Sequence, residues 1–549
     1  MRRIVGLVLS LVMSLVWLSG CKEKTDSYCC TGPSCSPRVT CGDLARPYCD
    51  DQGAYGDHVP RTCIADPMAA DGGGACEMTS DCKDPGTPLC IGNVCVQCQG
   101  PADCSAQAPV CQAVHSCGAC EAESDCNLYA PGTPHCGALG HCVACRTAFP
   151  DDCDLGSPAP VCDPGSAACR PCQGDDECSS GICDEGSGAC VQTPDIIHVD
   201  GTATGGLGCG TAASPCRTIN EGVLAVQLPN RFWIQVAAGT YQENLVLDGK
   251  KVRIVGPFFL PPASPKVTLT PAANQVACAL ITGNSDVSLE NMELSGAGGI
   301  TANADGVRCN IGGATASPRL TLKKVTVDLN AAQGVDSSSC DLTIEGSIIR
   351  GNPLGGLFAV DSKVSMTRTA VVSNSGGGVS LSASDFSLVN NFIIDNGSSS
   401  STIGGVLISM DPPSGVAGAR FEFNTVAGNN TKDGFASGIR CDVGTTLSFK
   451  NSIVYNNQPD PSATIGQVSG DSCKWTFSDI GPNGPAVTGN GNINLNPTFL
   501  NPASDNFHID TASLAKNVAE TSSQVGEDFD GEPRPMLGGW DMGADEVQP

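Results

Sequence analysis

The sequence predicts an all-β protein in which a solenoid of stacked strands follows an array of small disulfide-bonded modules. Three observations indicate this fold class. Asparagines recur every 22 residues in the second half, units of four cysteines repeat in the first half, and aromatic residues make up only 5% of the chain. With 549 residues the chain is too long for one ordinary core, so two or more domains are expected.

The chain begins with a segment that is typical of export. Arg2 and Arg3 precede the apolar run Ile4–Leu18, which has 15 residues. A membrane span needs about 20 residues, so this run fits a secretory signal better. Leu18-Ser19-Gly20-Cys21 then resembles the bacterial lipobox. The resemblance implies a lipoprotein signal at residues 1–20 and a lipidated Cys21.

The residue after Cys21 and the net charge indicate where the protein resides and what it binds. Lys22, instead of aspartate, follows the cysteine, which favours the outer membrane and the cell surface over retention at the inner membrane. The membrane is then an expected partner through the N-terminal lipid alone. The net charge of −27 argues against nucleic acid, because its phosphates need cationic groups.

Residues 76–194 contain tandem units of four cysteines, joined by C-x-x-C. C-x-x-C pairs also suit zinc, but an exported chain with Asp, Gly, Pro and Ser in its loops favours disulfides. Each unit allows three pairings, and the spacing does not choose among them. The predicted disulfide cysteines are Cys76, Cys82, Cys90, Cys95, Cys98, Cys104, Cys111, Cys117, Cys120, Cys126, Cys136, Cys142, Cys145, Cys153, Cys162, Cys169, Cys172, Cys178, Cys183 and Cys190. Units this small bury little, so the bridges must supply most of their stability.

Two interpretations of this array remain open: a protease-resistant stalk, or a surface that recognises another protein. The preceding segment, residues 21–75, contains further cysteines without a repeat. Of 34 cysteines, a lipidated Cys21 leaves 33, so at least one is expected to be free or paired outside the chain.

The second half has a strand repeat with a 22-residue period. The period is marked by Asn330, Asn352, Asn374 and Asn396. In the blocks that end at these positions, apolar residues alternate with Thr or Ser, as in a strand with one face inward. Stacking at about 4.8 Å would pair each strand with its equivalent in the next coil, and the asparagines would then form a ladder of side-chain amides. Cys209 and Cys216 flank a loop ahead of the repeats and are expected to bridge.

This repeat resembles the right-handed parallel β-helix of pectin-lyase-like proteins, over residues 195–490. The phrase AAGTYQEN (Ala237–Asn244) is similar to one near the start of the fold in pectin-processing enzymes. It places Tyr241 and Glu243 in the first coil, beside a predicted short helix. Residues 491–549 resemble the closing segment of secreted bacterial β-helix proteins and are expected to cap the last coil.

Two carboxylates on the solenoid are candidates for catalysis. Arg319, Asp341, Lys363 and Asp385 occupy equivalent outward places in consecutive coils and alternate in sign. A structural ion ladder is one interpretation. The other makes Asp341 and Asp385 an acid–base pair, about 10 Å apart by doubling the strand spacing. Lys363 between them would neutralise both.

Calcium is the one cofactor that the sequence suggests. Asp528 and Asp530 offer the hard oxygen ligands that calcium prefers. The DFDG stretch around them lacks the rest of an EF-hand loop. Turn formation and capping are the alternative roles for these carboxylates.

Two functions remain from the sequence. In the first, a surface-tethered β-helix head binds a polysaccharide or a surface protein. In the second, the head is a polysaccharide lyase or glycoside hydrolase that acts on acidic polysaccharide. The catalytic motifs of pectin methylesterases, pectate lyases and polygalacturonases are not evident beyond the opening phrase, and the net acidity would repel an anionic substrate without calcium. An inserted loop at Ser409–Ala419 marks the face where ligands are expected. We expect binding rather than catalysis.

Overall fold

The computed structural model describes residues 48–50, 62–64, 76–129, 132–149, 152–154, 156–257, 266–272, 276–298, 304–310, 317–458, 466–482, 486–536 and 538–548. The predicted signal, the lipidation site Cys21 and most of residues 21–75 lie outside this part of the chain. The chain divides into two compact units. The first ends at Cys172 and includes Glu185–Ala189, and the second contains Gln173–Asp184 and the chain from Cys190 onward.

The first unit is built from short hairpins that disulfides hold in place. Paired antiparallel strands are Tyr48–Asp50 with Thr62–Ile64, Leu89–Ile91 with Val94–Val96, Val110–Cys111 with Cys117–Gly118, His135–Cys136 with Cys142–Val143, and Val161–Cys162 with Cys169–Arg170. Short 3₁₀ helices span Thr79–Asp81, Pro101–Asp103 and Glu123–Tyr129. The predicted array of disulfide modules is thus confirmed.

The disulfides follow one of the three pairings that the sequence left open. Within each module the first cysteine bonds the third and the second bonds the fourth. These bridges are Cys76–Cys90, Cys82–Cys95, Cys98–Cys111, Cys104–Cys117, Cys120–Cys136, Cys126–Cys142, Cys145–Cys162 and Cys153–Cys169. Among the last four cysteines of the array, Cys178 bonds Cys190, and Cys172 and Cys183 are each disulfide-bonded.

A carboxylate directly before the second cysteine caps the start of each module. Asp125 Oδ2 accepts hydrogen bonds from the N–H groups of Glu121 (2.9 Å) and Ala122 (3.0 Å). Asp81 and Asp103 repeat these bonds in the first and second modules. These backbone hydrogen bonds lower the pKa of each of the three carboxyls, because they favour the charged form.

The second unit is a parallel β-helix with three sheets. Sheet 1 consists of Ile196–Val199, Trp233–Val236, Lys251–Val255, Asp286–Glu290, Arg319–Lys323, Asp341–Glu345, Lys363–Thr367, Asp385–Val389, Ala419–Glu422, Leu447–Lys450 and Cys473–Thr476. Sheet 2 consists of Gly239–Gln242, Val267–Thr270, Met292–Ser295, Thr326–Asp328, Ile348–Arg350, Ala370–Val372, Phe392–Ile394, Thr425–Ala427, Ile453–Tyr455 and Asp479–Gly481. Sheet 3 consists of Leu245–Asp248, Ala279–Thr282, Val307–Asn310, Gln333–Ser338, Gly355–Val360, Val379–Ser382, Val406–Ser409, Ile439–Asp442 and Val468–Ser469. Each coil passes through sheets 1, 2 and 3 in that order.

The 22-residue period sets the register between coils. Leu320, Leu342, Val364 and Phe386 lie side by side on neighbouring strands of sheet 1 and are at most 3% exposed. The alternating Thr and Ser side chains of these strands face outward. The inward apolar columns of the three sheets form one continuous core. The predicted fold class is therefore confirmed.

Polar ladders inside the turns hold successive coils together. The ladder between sheets 2 and 3 contains the four predicted asparagines and continues through Asn429 and Asn457. Asn374 accepts from the N–H and side-chain amide of Asn352 (both 3.0 Å) and donates to Asn396 Oδ1 (2.9 Å) and to Ile349 O (3.0 Å). A second ladder, between sheets 1 and 2, runs through Ser347, Thr369, Asn391, Asn424, Ser452 and Ser478.

A short helix, Ile219–Leu224, covers the first coil, and the AAGTYQEN segment anchors it. Glu243 is 8% exposed, and its carboxylate accepts the N–H groups of Ile219 (2.7 Å) and Asn220 (2.9 Å) at the start of the helix. The Tyr241 hydroxyl accepts from Gly201 N–H (3.1 Å) and donates to Ala237 O (2.8 Å). Both side chains are structural.

The C-terminal segment lies along the outside of sheet 2 as well as near the last coil. Its strands Phe499–Asn501 and Asn506–Ile509 form a hairpin. Phe507 and Ala544 pack on Phe392, Ile394 and Ala427. Further along, buried Arg534 donates to Asp541 O (3.0 Å) and Gly543 O (2.9 Å), and its guanidinium lies 4.4 Å from the centre of the Phe423 ring.

The remaining cysteines lie within the β-helix. Cys209 bonds Cys216 ahead of the repeats. Two further bridges, Cys309–Cys340 and Cys441–Cys473, link successive coils. Among the described residues Cys278 is the free cysteine, and its thiol is fully buried. Burial raises its pKa to about 12, so this thiol is unreactive at neutral pH. No helix in the described part of the chain combines the length and apolarity needed to cross a membrane.

Candidate functional site on the outward face of sheet 3

The three outward faces of the β-helix differ in what covers them. The later strands of sheet 2 are covered by the C-terminal segment. The Phe392 ring lies 4.6 Å from that of Phe529 and 5.0 Å from that of His508. Thr425 accepts a hydrogen bond from Ala544 N–H (3.0 Å). This part of sheet 2 is therefore closed to a ligand.

Sheet 1 displays the charged column in which the two catalytic candidates lie. The strand register aligns Asp286, Arg319, Asp341, Lys363 and Asp385. Arg319 Nε lies 3.6 Å from Asp341 Oδ2. Asp385 accepts hydrogen bonds from the N–H (3.0 Å) and hydroxyl (2.6 Å) of Ser414, and so anchors the inserted loop. Asp341 thus has the cationic partner that an ion ladder requires, whereas Asp385 holds a loop, and a catalytic role for either carboxylate stays a prediction.

The calcium candidates have protein partners too. Asp528 is fully buried and accepts the N–H groups of Asp530 (3.0 Å), Glu532 (2.8 Å) and Glu546 (3.0 Å). Asp530 Oδ2 lies 2.9 Å from His508 Nε2. Both carboxylates thus make turn and ion-pair contacts within the protein, and calcium binding by them stays a prediction.

The outward residues of sheet 3 form a column in which apolar, polar and charged side chains are mixed. Its outward residues in register are Val246, Leu280, Arg308, Asp336, Phe358, Ser380, Leu407 and Arg440. Phe358 lies near the middle of the column and is 37% exposed, with Asp336 and Ser380 as its neighbours on the adjacent strands. An accessible ring beside hydrogen-bonding groups is the combination that ligand sites use for contact area and orientation.

An arginine shared by two carboxylates lies two strands away from Phe358 in this column. Arg308 Nη2 is 3.0 Å from Asp336 Oδ2, and its Nε is 4.0 Å from Asp305 Oδ2. Asp305 is fully buried, and its Oδ1 accepts Gln333 N–H (3.0 Å). Burial raises the pKa of Asp305 to about 6, and the charge of Asp336 adds to this effect. Burial also raises the pKa of Asp336, against the opposing effect of Arg308.

Cationic groups surround an aromatic ring at the C-terminal end of the column. The Arg440 guanidinium lies 4.8 Å from the centre of the Phe435 ring, and Lys432 Nζ lies 5.2 Å from it. Arg440 Nη1 donates to Thr402 O (3.2 Å), and its Nε is 2.8 Å from Asp442 Oδ2. These contacts fix the direction of the guanidinium, as cation–π and ionic contacts do elsewhere.

Long connections border sheet 3 on both edges. Residues 397–405 and 430–438 lead from sheet 2 into sheet 3. The predicted insertion Ser409–Ala419 connects sheet 3 to sheet 1 through residues 410–418. In the short turn that precedes the strand Val379–Ser382, Gly377 has a φ of 130°, and a Cβ there would lie 2.6 Å from Ile403. The missing side chain leaves a shallow depression lined by Gln333, Phe358 and Ile403.

Sequence reasoning missed this column, although a signal was present. Asp336, Phe358 and Ser380 are spaced by 22 residues, the same period as the asparagines. The outward residues of the sheet 3 strands share no residue type, so no repeat is visible at these positions. An aromatic residue in an outward column was the feature that could have identified it.

Comparisons with known proteins give one family model and several similar solved structures. The family model described as "Right handed beta helix region" matches residues 277–497. Among solved structures, pectate lyase Pel9A is similar at 13% identity and a TM-score of 0.43, over 64% of this chain and 96% of that chain. The pectin methylesterase from Aspergillus niger in deglycosylated form is similar at 13% identity and a TM-score of 0.29, over 55% of this chain and 85% of that chain. No curated protein matches this chain. Together with the parallel sheets, the family match identifies the repeat region as a right-handed parallel β-helix.

Proposed function

We propose that this protein is an exported recognition protein whose β-helix binds a glycan along the outward face of sheet 3. The observation that carries the proposal is the column centred on Phe358, with Asp336 and Ser380 beside it. The ring offers apolar area for the C–H faces of a sugar, and Asp336, whose side chain is 15% exposed, can accept hydrogen bonds from its hydroxyls. A linear glycan could follow the column from strand to strand.

The rigidity of the β-helix supports this role. Arg308 is held by Asp336, and Arg440 is held by Thr402 and Asp442, so their directions are set before a ligand arrives. Strands fixed between coils lose little conformational freedom on binding, which favours affinity. A glycan-binding face built on such strands needs no closing loop.

A glycan array tests the proposal. We expect the full chain to bind a defined subset of glycans, and Phe358→Ala to lose at least about tenfold in affinity for them, which corresponds to about 1.4 kcal/mol. Thr343→Ala, at an outward position of sheet 1, is the matched control and should bind like the wild type. Binding that survives Phe358→Ala unchanged would rule out this face.

Tethering to the outer membrane through Cys21 is the second part of the proposal. The N-terminal leader and the lipobox-like sequence support it, and the disulfide modules would serve as the stalk. In a bacterial host, wild-type protein should partition into the detergent phase and take up labelled fatty acid. Cys21→Ser should do neither, whereas Lys22→Ala should do both. Labelling of the Cys21→Ser protein would contradict lipidation at this residue.

A polysaccharide lyase or glycoside hydrolase is the alternative function. The carboxylates around Arg308 favour it, since one of them has a pKa of about 6. However, Asp305 is fully buried, and a catalytic pair must both reach the substrate. A polysaccharide panel, with and without calcium, should therefore give neither new reducing ends nor unsaturated products. Turnover that Asp336→Asn abolishes would establish the alternative.

A further inference from the structure

The cysteine-rich unit contains a cleft that the proposed glycan site does not use. This module cleft is formed by the second, third and fourth modules and encloses about 1200 Å³. Its walls come from residues 106–107, 120–123, 132–133, 136–149 and 162–168. A spacer needs no concave surface. The cleft therefore favours the interpretation that the array also recognises a partner.

Two large apolar side chains are exposed in the module cleft. Leu139, at the tip of the hairpin of the third module, is 82% exposed, and Phe149 in the fourth module is 50% exposed. Exposed apolar side chains gathered in one concavity mark interaction sites more often than chance surface residues do. Covering each would contribute about 1.5–3 kcal/mol before the costs of binding.

The cleft is lined by three carboxylates, Glu121, Glu123 and Asp163, and by one guanidinium, that of Arg146. Asp163 lies 3.6 Å from Arg170, and Glu123 lies 3.1 Å from His135. Arg146 is already occupied, because its Nε and Nη2 donate to Asp152 (2.8 and 3.0 Å) and its Nη1 donates to Glu123. The guanidinium also lies 3.9 Å from the centre of the Phe149 ring. Its charge is therefore compensated internally, and the cleft has a net negative character.

Disulfides fix the walls of the cleft. The third module has the bridges Cys120–Cys136 and Cys126–Cys142, and the fourth has Cys145–Cys162 and Cys153–Cys169. A surface that is ordered before binding pays little conformational entropy when a partner docks. Acidic walls would also speed the encounter with a positively charged partner.

We propose that the module cleft binds a cationic segment of a partner protein. An apolar side chain of that segment covers Leu139 and Phe149, and its Lys or Arg side chains face Glu121, Glu123 and Asp163. The array is then a protein-binding element as well as a spacer. This inference is independent of glycan binding by the β-helix, and either can fail without the other.

Fluorescence anisotropy with the full chain tests the proposal. The probe is a labelled amphipathic peptide of Lys and Leu, compared with peptides of the same pattern made of Lys and Ser or of Glu and Leu. We expect the Lys/Leu peptide to bind, the Lys/Ser peptide to bind at least tenfold more weakly, and the Glu/Leu peptide not to bind. Added salt should weaken the Lys/Leu complex, because the carboxylates contribute to it.

Matched variants separate the cleft from the overall acidity of the chain. Leu139→Ser and Glu121→Lys should each weaken binding of the Lys/Leu peptide at least fivefold. Val114→Ser is the apolar control, since Val114 is 76% exposed at the hairpin tip of the second module and outside the cleft. Glu77→Lys is the charge control, in the first module. All four residues are on the surface, so folding should persist, with an unchanged free-thiol count. Equal loss in the variants and their controls, or equal binding of the Glu/Leu peptide, would overturn the proposal.

Discussion

At the scale of single residues, Glu243 shows how a motif that resembles part of an enzyme can be purely structural. Its carboxylate satisfies two N–H groups at the start of the helix Ile219–Leu224, and Tyr241 ties the same coil to Gly201. The N-terminal N–H groups of a helix have no partner within the helix, so a buried acceptor is needed. The opening motif therefore marks the entry of the β-helix rather than a catalytic centre.

Removal of this carboxylate should loosen the entry of the β-helix. Glu243→Ala leaves two buried donors without an acceptor, which we expect to cost about 1–3 kcal/mol. Denaturant unfolding followed by circular dichroism measures the change. Gln242→Ala, at the exposed neighbouring position, is the control and should stay within about 0.5 kcal/mol of the wild type. Equal stability of the two variants would contradict the capping role.

At the scale of elements, the ladders explain why polar residues are tolerated inside the β-helix. Each buried amide of the asparagine ladder finds partners both in the next coil and in the backbone, so no desolvation penalty is left uncompensated. The ladder also fixes the register, since a slip by one residue would break every rung.

Asn374→Ala tests the ladder from its middle. The substitution leaves the N–H of Asn352 without its acceptor and removes the side-chain bonds to Asn352 Nδ2, Asn396 Oδ1 and Ile349 O, and we expect it to cost about 1–3 kcal/mol. Ser365→Ala removes an outward hydroxyl from a neighbouring strand and should be close to neutral. A fall in the melting temperature of only the first variant is the predicted result. If both melt like the wild type, the ladder is not a stabilising element.

The sequence predicted the elements that repeat and missed those that do not. Residues with one inward environment per coil, such as Leu342 and Asn352, keep the same type every 22 positions and were visible. Outward columns obey no such rule. Only the strand register of the structure shows that Asp336 and Phe358 are neighbours. Cysteine spacing could not choose a connectivity, because each of the three pairings closes loops that a module can form. The docking of the C-terminal segment on sheet 2 depends on contacts far apart in the chain.

At the scale of the whole molecule, the C-terminal segment makes the second unit sensitive to pH. Burial raises the pKa of Asp395 to about 7, and a hydrogen bond with Asp505 of the C-terminal hairpin adds to the effect. Burial also raises the pKa of Asp479 to about 7 and that of Glu546 to about 7. A carboxyl whose pKa is raised on folding stabilises the folded state below its ordinary pKa, and this stability is lost as the pH rises through the folded pKa.

We therefore expect the second unit to be more stable near pH 5 than near pH 8. Asp395→Asn removes one titrating group and should reduce the difference in melting temperature between the two pH values. Asp361→Asn, in a turn between sheets 3 and 1, is the control and should keep the wild-type difference. The melting temperatures of the three proteins, measured at several pH values, test this expectation. A wild-type protein that is more stable at pH 8 would show that these carboxyls do not control the packing of the C-terminal segment on the β-helix.

The central claim is that recognition takes place on the outward face of sheet 3, and calorimetric titration with one bound oligosaccharide tests it most directly. Phe358→Ala should weaken the affinity at least about tenfold, or about 1.4 kcal/mol. Thr343→Ala on sheet 1 and Ile348→Ala on sheet 2 should leave it unchanged. The opposite result, with affinity kept in Phe358→Ala and lost in a variant of another sheet, would place the site elsewhere.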